Sequence, residues 1–183
     1  MASTRKKTAK ALPSAGKVDA IALLKADHRM VSGWFEEFKG ARSASKKQQL
    51  ASAICKALTV HAEIEEEMFY PAFLEATKDE DIHHEAIVEH DGAKKLIAEI
   101  EASSPEDDYF DAKVNVLGEM IRHHVKEEEK PDGMFGEARK SKMDLAALGE
   151  QMQARKSALE ESTAAPVAGK PGRQRQSDWT IRP

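Results

Sequence analysis

Between Ile21 and Phe38, the residues Ile21, Leu24, His28, Val31, Phe35 and Phe38 follow steps of 3, 4, 3, 4 and 3. That spacing lays one seam along a helix. Asp19 is placed to cap its start, while Gly40 and the Ser43–Ser45 stretch close it and open the next. The second segment keeps the period through Leu50, Ile54, Leu58, His61, Glu65, Met68 and Ala72. Pro71 has no N–H and should kink or end that helix. Thr77-Lys78-Asp79-Glu80 has the form of a capping box for a third helix, with Ala86, His90, Ala93, Ile97 and Ile100 in register. Ser104-Pro105-Glu106-Asp107 reads as the start of a fourth, a serine cap followed by proline and early acids. Its seam is Val114, Leu117, Ile121, His124 and Glu128, and Pro131-Asp132-Gly133 interrupts it. Residues from Ser141 to about Ser162 can form a fifth, with Leu145, Leu148, Met152 and Leu159 on one side. No long stretch alternates with period two.

The pattern predicts an all-α protein: an up-down-up-down four-helix bundle over 18–138 and an additional C-terminal helix over 139–163. Basic, disordered segments are expected at 1–17 and 164–183. A chain of 183 residues has room for one such domain plus tails, and 33% charged with 5% aromatic residues suits helices better than sheets. The net charge of −4 divides unevenly: residues 1–17 carry +5, residues 170–183 carry +3, and the middle carries −12. An acidic body argues against sequence-specific nucleic-acid binding, and what partner the tails would meet is left open. No apolar run approaches a membrane span, and no apolar stretch follows the basic N-terminus as a secretory signal would require. With Cys55 alone there is no intrachain disulfide and no thiolate metal site, which fits a cytoplasmic location.

The seams carry the chemistry. Each of the four helices places one histidine on its core-facing stripe (His28, His61, His90 and His124), and two add a glutamate one turn later, Glu65 and Glu128. One buried histidine is most simply a satisfied core residue. Two buried carboxylates are harder to accommodate, since each costs several kcal/mol unless something positive compensates. No Lys or Arg shares these positions, so a bound cation is expected. Imidazole with carboxylate suits iron or manganese, and zinc less well. If both glutamates bridge, the set offers about eight metal–ligand bonds, which favours two octahedral ions with open positions over one.

These residues resemble the hemerythrin-like, or HHE cation-binding, family of bacterial proteins. The likeness rests on Asp27-His28, the block His61-Ala62-Glu63-Ile64-Glu65-Glu66-Glu67-Met68-Phe69-Tyr70-Pro71, Glu89-His90-Asp91, and His123-His124-Val125-Lys126-Glu127-Glu128-Glu129. The resemblance implies a four-helix bundle holding a non-haem di-iron centre, Fe2+/Fe3+ with an oxo or hydroxo bridge. By that likeness His28, His61, His90 and His124 are iron ligands, and Glu65 and Glu128 are bridging carboxylates. Glu129 competes with Glu128 for the second role, and the seam favours Glu128. The chain also departs from the family's oxygen carriers, which have a second histidine one turn from the first on the third helix. Here Ala86 and Lys94 flank His90 at that spacing, which argues against reversible oxygen storage. Lys130-Pro131-Asp132-Gly133 also intervenes before Met134-Phe135, and no proline follows them as Pro71 does in the first block.

The implied function is binding or sensing of a small oxidant (dioxygen, nitric oxide or peroxide) or handling of iron. Two alternatives fit the same residues: a di-iron oxidase or reductase, and a helical interaction module whose metal is structural. No dedicated acid–base or substrate residues stand out, so the set leaves turnover undecided. Several other residues read as bystanders. His83 is two turns from His90, about 10.5 Å along the axis, and its Glu80-x-x-His83 spacing occurs once near a helix start. His84 and His123 fall off the seams, Cys55 reads as a packed side chain, and Trp34 and Phe35 as core filler. Glu66, Glu67, Glu127 and Glu129 read as a solvated acidic face, with some of them free to orient the imidazoles.

Overall fold

In the computed structural model, residues 19–164 are described. They form helices α1 (Ala20–Gly40), α2 (Ala44–Ile64), α3 (Tyr70–Thr77), α4 (Glu80–Glu101), α5 (Phe110–Glu129), α6 (Met134–Lys140) and α7 (Leu145–Ala164), with a π-helical turn at Glu65–Phe69 joining α2 to α3. No strand occurs among the described residues, and none of their helices is long and apolar enough to cross a membrane. The two basic end segments lie outside the described residues, save Ala164 at the end of α7.

Helices α1, α2, α4 and α5 make the four corners of an all-α bundle: α1 packs on α2 and α5, and α4 packs on α2 and α5. Helix α7 lies along α1, α2 and the π turn. Two apolar cores fill the bundle. One gathers Leu24, Ile64, Phe69, Phe73 and Phe135. The other gathers Val31, Phe35, Leu58, Ala93 and Leu117. The four seam histidines form a polar layer between them.

Local chemistry sets the ends. Asp19 accepts a hydrogen bond from the Ala22 N–H at 2.7 Å and Ser43 one from Lys46 at 3.3 Å, so both expected caps are present. The cap of α4 is different from the one expected. Asp79, not Thr77, accepts from the Ile82 N–H at 3.2 Å, while Thr77 turns back to donate to the Phe73 carbonyl. Helix α5 also starts later than Ser104-Pro105 suggests. The Asp107 carboxylate accepts from the Ser104 N–H at 2.8 Å, closing a local turn that competes with helix, and α5 begins at Phe110.

Pro71 does not end the second helix. The wider π turn carries the chain through it, with the Tyr70 N–H donating to the Glu65 carbonyl five residues back. One extra residue per turn rotates all that follows by about 100°. Phe69, Tyr70 and Phe73 are therefore buried, where the unbroken seam points to Met68 and Ala72. After α5 the chain folds back into α6, which the sequence pattern does not anticipate. A Cβ at Gly136 would lie 2.1 Å from the Pro131 carbonyl oxygen, so only glycine permits this close return. It delivers Phe135 to stack on the His28 ring, with centroids 5.8 Å apart.

Candidate metal centre

All six seam residues singled out by the pattern are buried, and their side chains meet in the layer between the cores. The histidines pair across helices. Nε2 of His28 lies 3.1 Å from Nε2 of His61, and Nε2 of His90 lies 3.2 Å from Nε2 of His124. Each glutamate then spans both pairs. Glu65 Oε2 is 3.1 Å from His61 Nε2 and 3.5 Å from His90 Nε2. Glu128 Oε2 is 3.5 Å from His28 Nε2 and 3.6 Å from His124 Nε2. Glu128 therefore faces the layer, whereas Glu129 turns outward.

The outward nitrogens account for the inward ones. Nδ1 of His28 meets Glu129 at 2.9 Å, Nδ1 of His61 meets Asp27 at 3.5 Å, Nδ1 of His90 meets Glu66 at 2.8 Å, and Nδ1 of His124 meets Glu89 at 2.7 Å. An ionised carboxylate only accepts, so each pairing holds the proton on Nδ1 and leaves the Nε2 lone pair facing inward. Behind three of the carboxylates stands a lysine: Lys25 on Glu129 at 2.8 Å, Lys94 on Glu66 at 2.5 Å, and Lys156 on Asp27; behind Glu89 the His123 ring lies at 3.4 Å. Of these lysines Lys156 is the most buried, its side chain 13% exposed, and it comes from α7.

Among the described residues, both oxygens of Glu65 and Oε2 of Glu128 are buried with no hydrogen-bond donor. Buried lone pairs facing one another are costly unless something positive sits among them. Their spacing suits metal coordination. Two donors about 2.1 Å from one ion, at roughly right angles to tetrahedral angles, lie about 3.0–3.4 Å apart. Two sets of donor atoms converge within 4.8 Å, His28/His61/Glu65 and Glu65/His90/His124, so the cluster is able to hold metal, with Glu65 common to both.

Without metal, protons take up part of this charge. Burial works against a charged His61, but the Glu65 carboxylate and the Asp27 bond outweigh it and lift its pKa to about 10. His124 rises to about 9, where Glu128 and Glu89 overcome burial. His28 falls to about 4 through burial and the neighbouring His61, and His90 is also lowered by burial. Glu128 is pushed upward by burial and by Glu65, whereas Glu65 is held low because the histidines overcome its burial. In each imidazole pair one ring, His61 or His124, is thus favoured to take an extra proton and the other is not.

Tyr70 joins the layer unannounced by the seams. Its hydroxyl lies 3.1 Å from His90 Nε2 and donates to Glu128 Oε1 at 3.2 Å. Burial and the two glutamates hold its pKa well above 10. Only recognition of the π turn could have placed it there. The remaining residues lie off the ring of donors. His83 packs edge-on against Tyr70 at 6.1 Å, His84 is exposed, and Cys55 is buried with its thiol pushed up to about 12 by burial. Glu67 pairs with Arg155, and Glu127 with Lys130.

The chain is similar to known proteins to different extents. Along 107 residues the chain is 33% identical to a DNA nickase of Nostoc sp. strain PCC 7120, a match covering 58% of this chain and 30% of that protein. The crystal structure of a hemerythrin HHE cation-binding domain-containing protein from Mycobacterium kansasii superimposes with a TM-score of 0.65 at 25% identity, covering 79% of this chain and 89% of that one. Residues 19–132 match the hemerythrin HHE cation binding domain, and the chain belongs to that family.

Proposed function

We propose that the six convergent residues hold two iron ions and that the protein binds or senses a small oxidant, such as dioxygen, nitric oxide or peroxide, in the cytoplasm. The observation that carries this reading is the span of each glutamate from one histidine pair to the other. One pair with its two carboxylate neighbours would make one ion's ligand set, and the other pair the second. Nitrogen and carboxylate donors, with a phenol nearby, favour iron over softer-ligand metals.

Iron bound there would supply open coordination positions and a one-electron change at each ion. The chain supplies the rest. Asp27, Glu66, Glu89 and Glu129 orient the imidazoles and strengthen them as donors. Tyr70 fixes Glu128 through its hydroxyl. Val31, Leu58, Ala93 and Ile121, each three residues from one of the histidines, ring the face opposite the glutamates with hydrocarbon and limit water. The Tyr70 hydroxyl also favours a second reading, a di-iron oxidase or reductase, because it sets a proton beside the donors. Anaerobic titration of metal-free protein with Fe(II) tests the centre: uptake should break at two equivalents per chain. Steady-state consumption of peroxide or nitric oxide with a reductant would separate enzyme from binder.

A further inference from the structure

We propose that the gap between α4 and α5 is a binding and access site for a small uncharged ligand, which reaches the His90/His124 pair past Ala93. The inference rests on the metal-centre reading for what the ligand meets inside, but the cavity stands on its own geometry.

The four side chains that face away from Glu65 and Glu128 are unequal. Val31, Leu58 and Ile121 are branched, and Ala93 is a single methyl. Space therefore opens on the α4 side. A void of about 20 Å³ lies against Leu58, Ala93, Ile121 and the rings of His61, His90 and His124, with Lys94, whose ammonium is held by Glu66 at 2.5 Å, also at its wall. A larger cavity of about 220 Å³ lies between α4 and α5, and it shares Ala93, Ile121, His90 and His124 as walls with the inner void. Met120 stands over this outer cavity, close enough to α4 that a Cβ at Gly92 would come within 2.9 Å of its Cε.

The walls select against charge. Three of the polar atoms beside the outer cavity are engaged, His90 Nδ1 by Glu66, His124 Nδ1 by Glu89, and Glu89 Oε1 by His123, whose exposed ring stands at the outer wall. What remains toward the space is mostly hydrocarbon and ring carbon. Dry apolar cavities of about 150 Å³ take up benzene or xenon, and one water-sized probe needs about 10–15 Å³. The outer cavity can therefore hold a small apolar molecule, while the inner void passes only something of diatomic or peroxide size. The other two gaps reaching the histidines are different. The one beside Glu85, Glu89, Glu127 and Glu128 has about 30 Å³ and an acidic wall. The one between α1 and α5 has about 70 Å³ and carries Glu36 and Arg122 at its rim.

Two measurements test the proposal. Xenon-pressurised crystals of metal-free protein should show xenon between α4 and α5, and absence of xenon there would overturn the site without reference to iron. Stopped-flow association of nitric oxide with the ferrous protein should slow at least about tenfold in Ala93→Leu and in Met120→Trp. It should be unchanged in Ser32→Leu, which narrows the α1–α5 gap. Unchanged rates in both plugged variants at full iron content, or slowing in Ser32→Leu alone, would overturn the route. Wild-type protein that takes up no iron would instead sink the metal-centre reading, leaving xenon occupancy to decide the cavity.

Discussion

The Tyr70 hydroxyl donates to Glu128 Oε1 at 3.2 Å although the two residues lie 58 positions apart and on different helices. The contact exists because the π turn rotates Tyr70 inward. In Tyr70→Phe, Glu128 loses that donor inside the protein, at a cost of about 1–3 kcal/mol. A bound cation would satisfy the same carboxylate. Urea unfolding should therefore show a larger loss in metal-free Tyr70→Phe than in the iron-loaded variant, and equal losses would count against the cation's role.

Glu65 touches both histidine pairs, whereas His61 belongs to one. Glu65→Ala is expected to abolish uptake of both ions, and His61→Ala to weaken one more than the other. Iron per chain, measured by plasma mass spectrometry after anaerobic loading, checks both. Full stoichiometry in Glu65→Ala would contradict the ligand assignment.

The period of the seams was enough to align four histidines and two glutamates on facing stripes, because helical geometry alone determines which residues share a face. It also separated Glu128, which faces the layer, from Glu129, which bonds the outer nitrogen of His28. The rest depended on contacts that the period does not encode. A seam continued through Met68 and Ala72 conceals the π turn and, with it, Tyr70. Ser104-Pro105 looks like a helix start, but a competing aspartate turn uses the same residues. Lys156 reaches Asp27 across 129 positions, which no local pattern foretells.

Lys156 holds Asp27, and both are largely buried. Burial alone would raise the Asp27 pKa, but the bonds to His61 and Lys156 lower it instead. Its stabilising contribution is present above the ordinary carboxylate range and is lost as pH falls through the depressed value. At neutral pH, Lys156→Met should cost about 1–3 kcal/mol, because the buried Asp27 carboxylate loses its lysine partner and keeps only the His61 bond. Adding Asp27→Asn should recover part of that in a double-mutant cycle read by chemical denaturation. Additive losses would show that the pair is not coupled.

His61 and His124 are raised to about 10 and 9, so the stability that they lend the metal-free protein is complete below their unfolded value near 6.5 and fades as pH rises through 9–10. The lowered His28 and His90 act the other way, but their contribution is complete once pH exceeds about 6.5. Metal binding requires neutral imidazoles and so strengthens with pH. Thermal scans from pH 7 to 10 should therefore show the metal-free midpoint falling and the gap to loaded protein widening. A gap that stays constant or narrows would contradict the extra proton assigned to His61 and His124.

Gly136→Ala would place a methyl 2.1 Å from the Pro131 carbonyl oxygen. Backbone on both sides leaves nothing flexible to yield, so a loss of about 1–3 kcal/mol or more is expected. Because α6 carries Phe135 onto His28, the same variant should also broaden the His28 ring resonances. Wild-type stability in Gly136→Ala would mean that α6 docks differently.

Anomalous diffraction at the iron absorption edge, from crystals of the loaded protein, tests the central claim most directly. Two peaks are expected, one beside the Nε2 atoms of His28 and His61 and one beside those of His90 and His124, with Glu65 and Glu128 between them. A single peak, or iron away from these six side chains, would contradict the account.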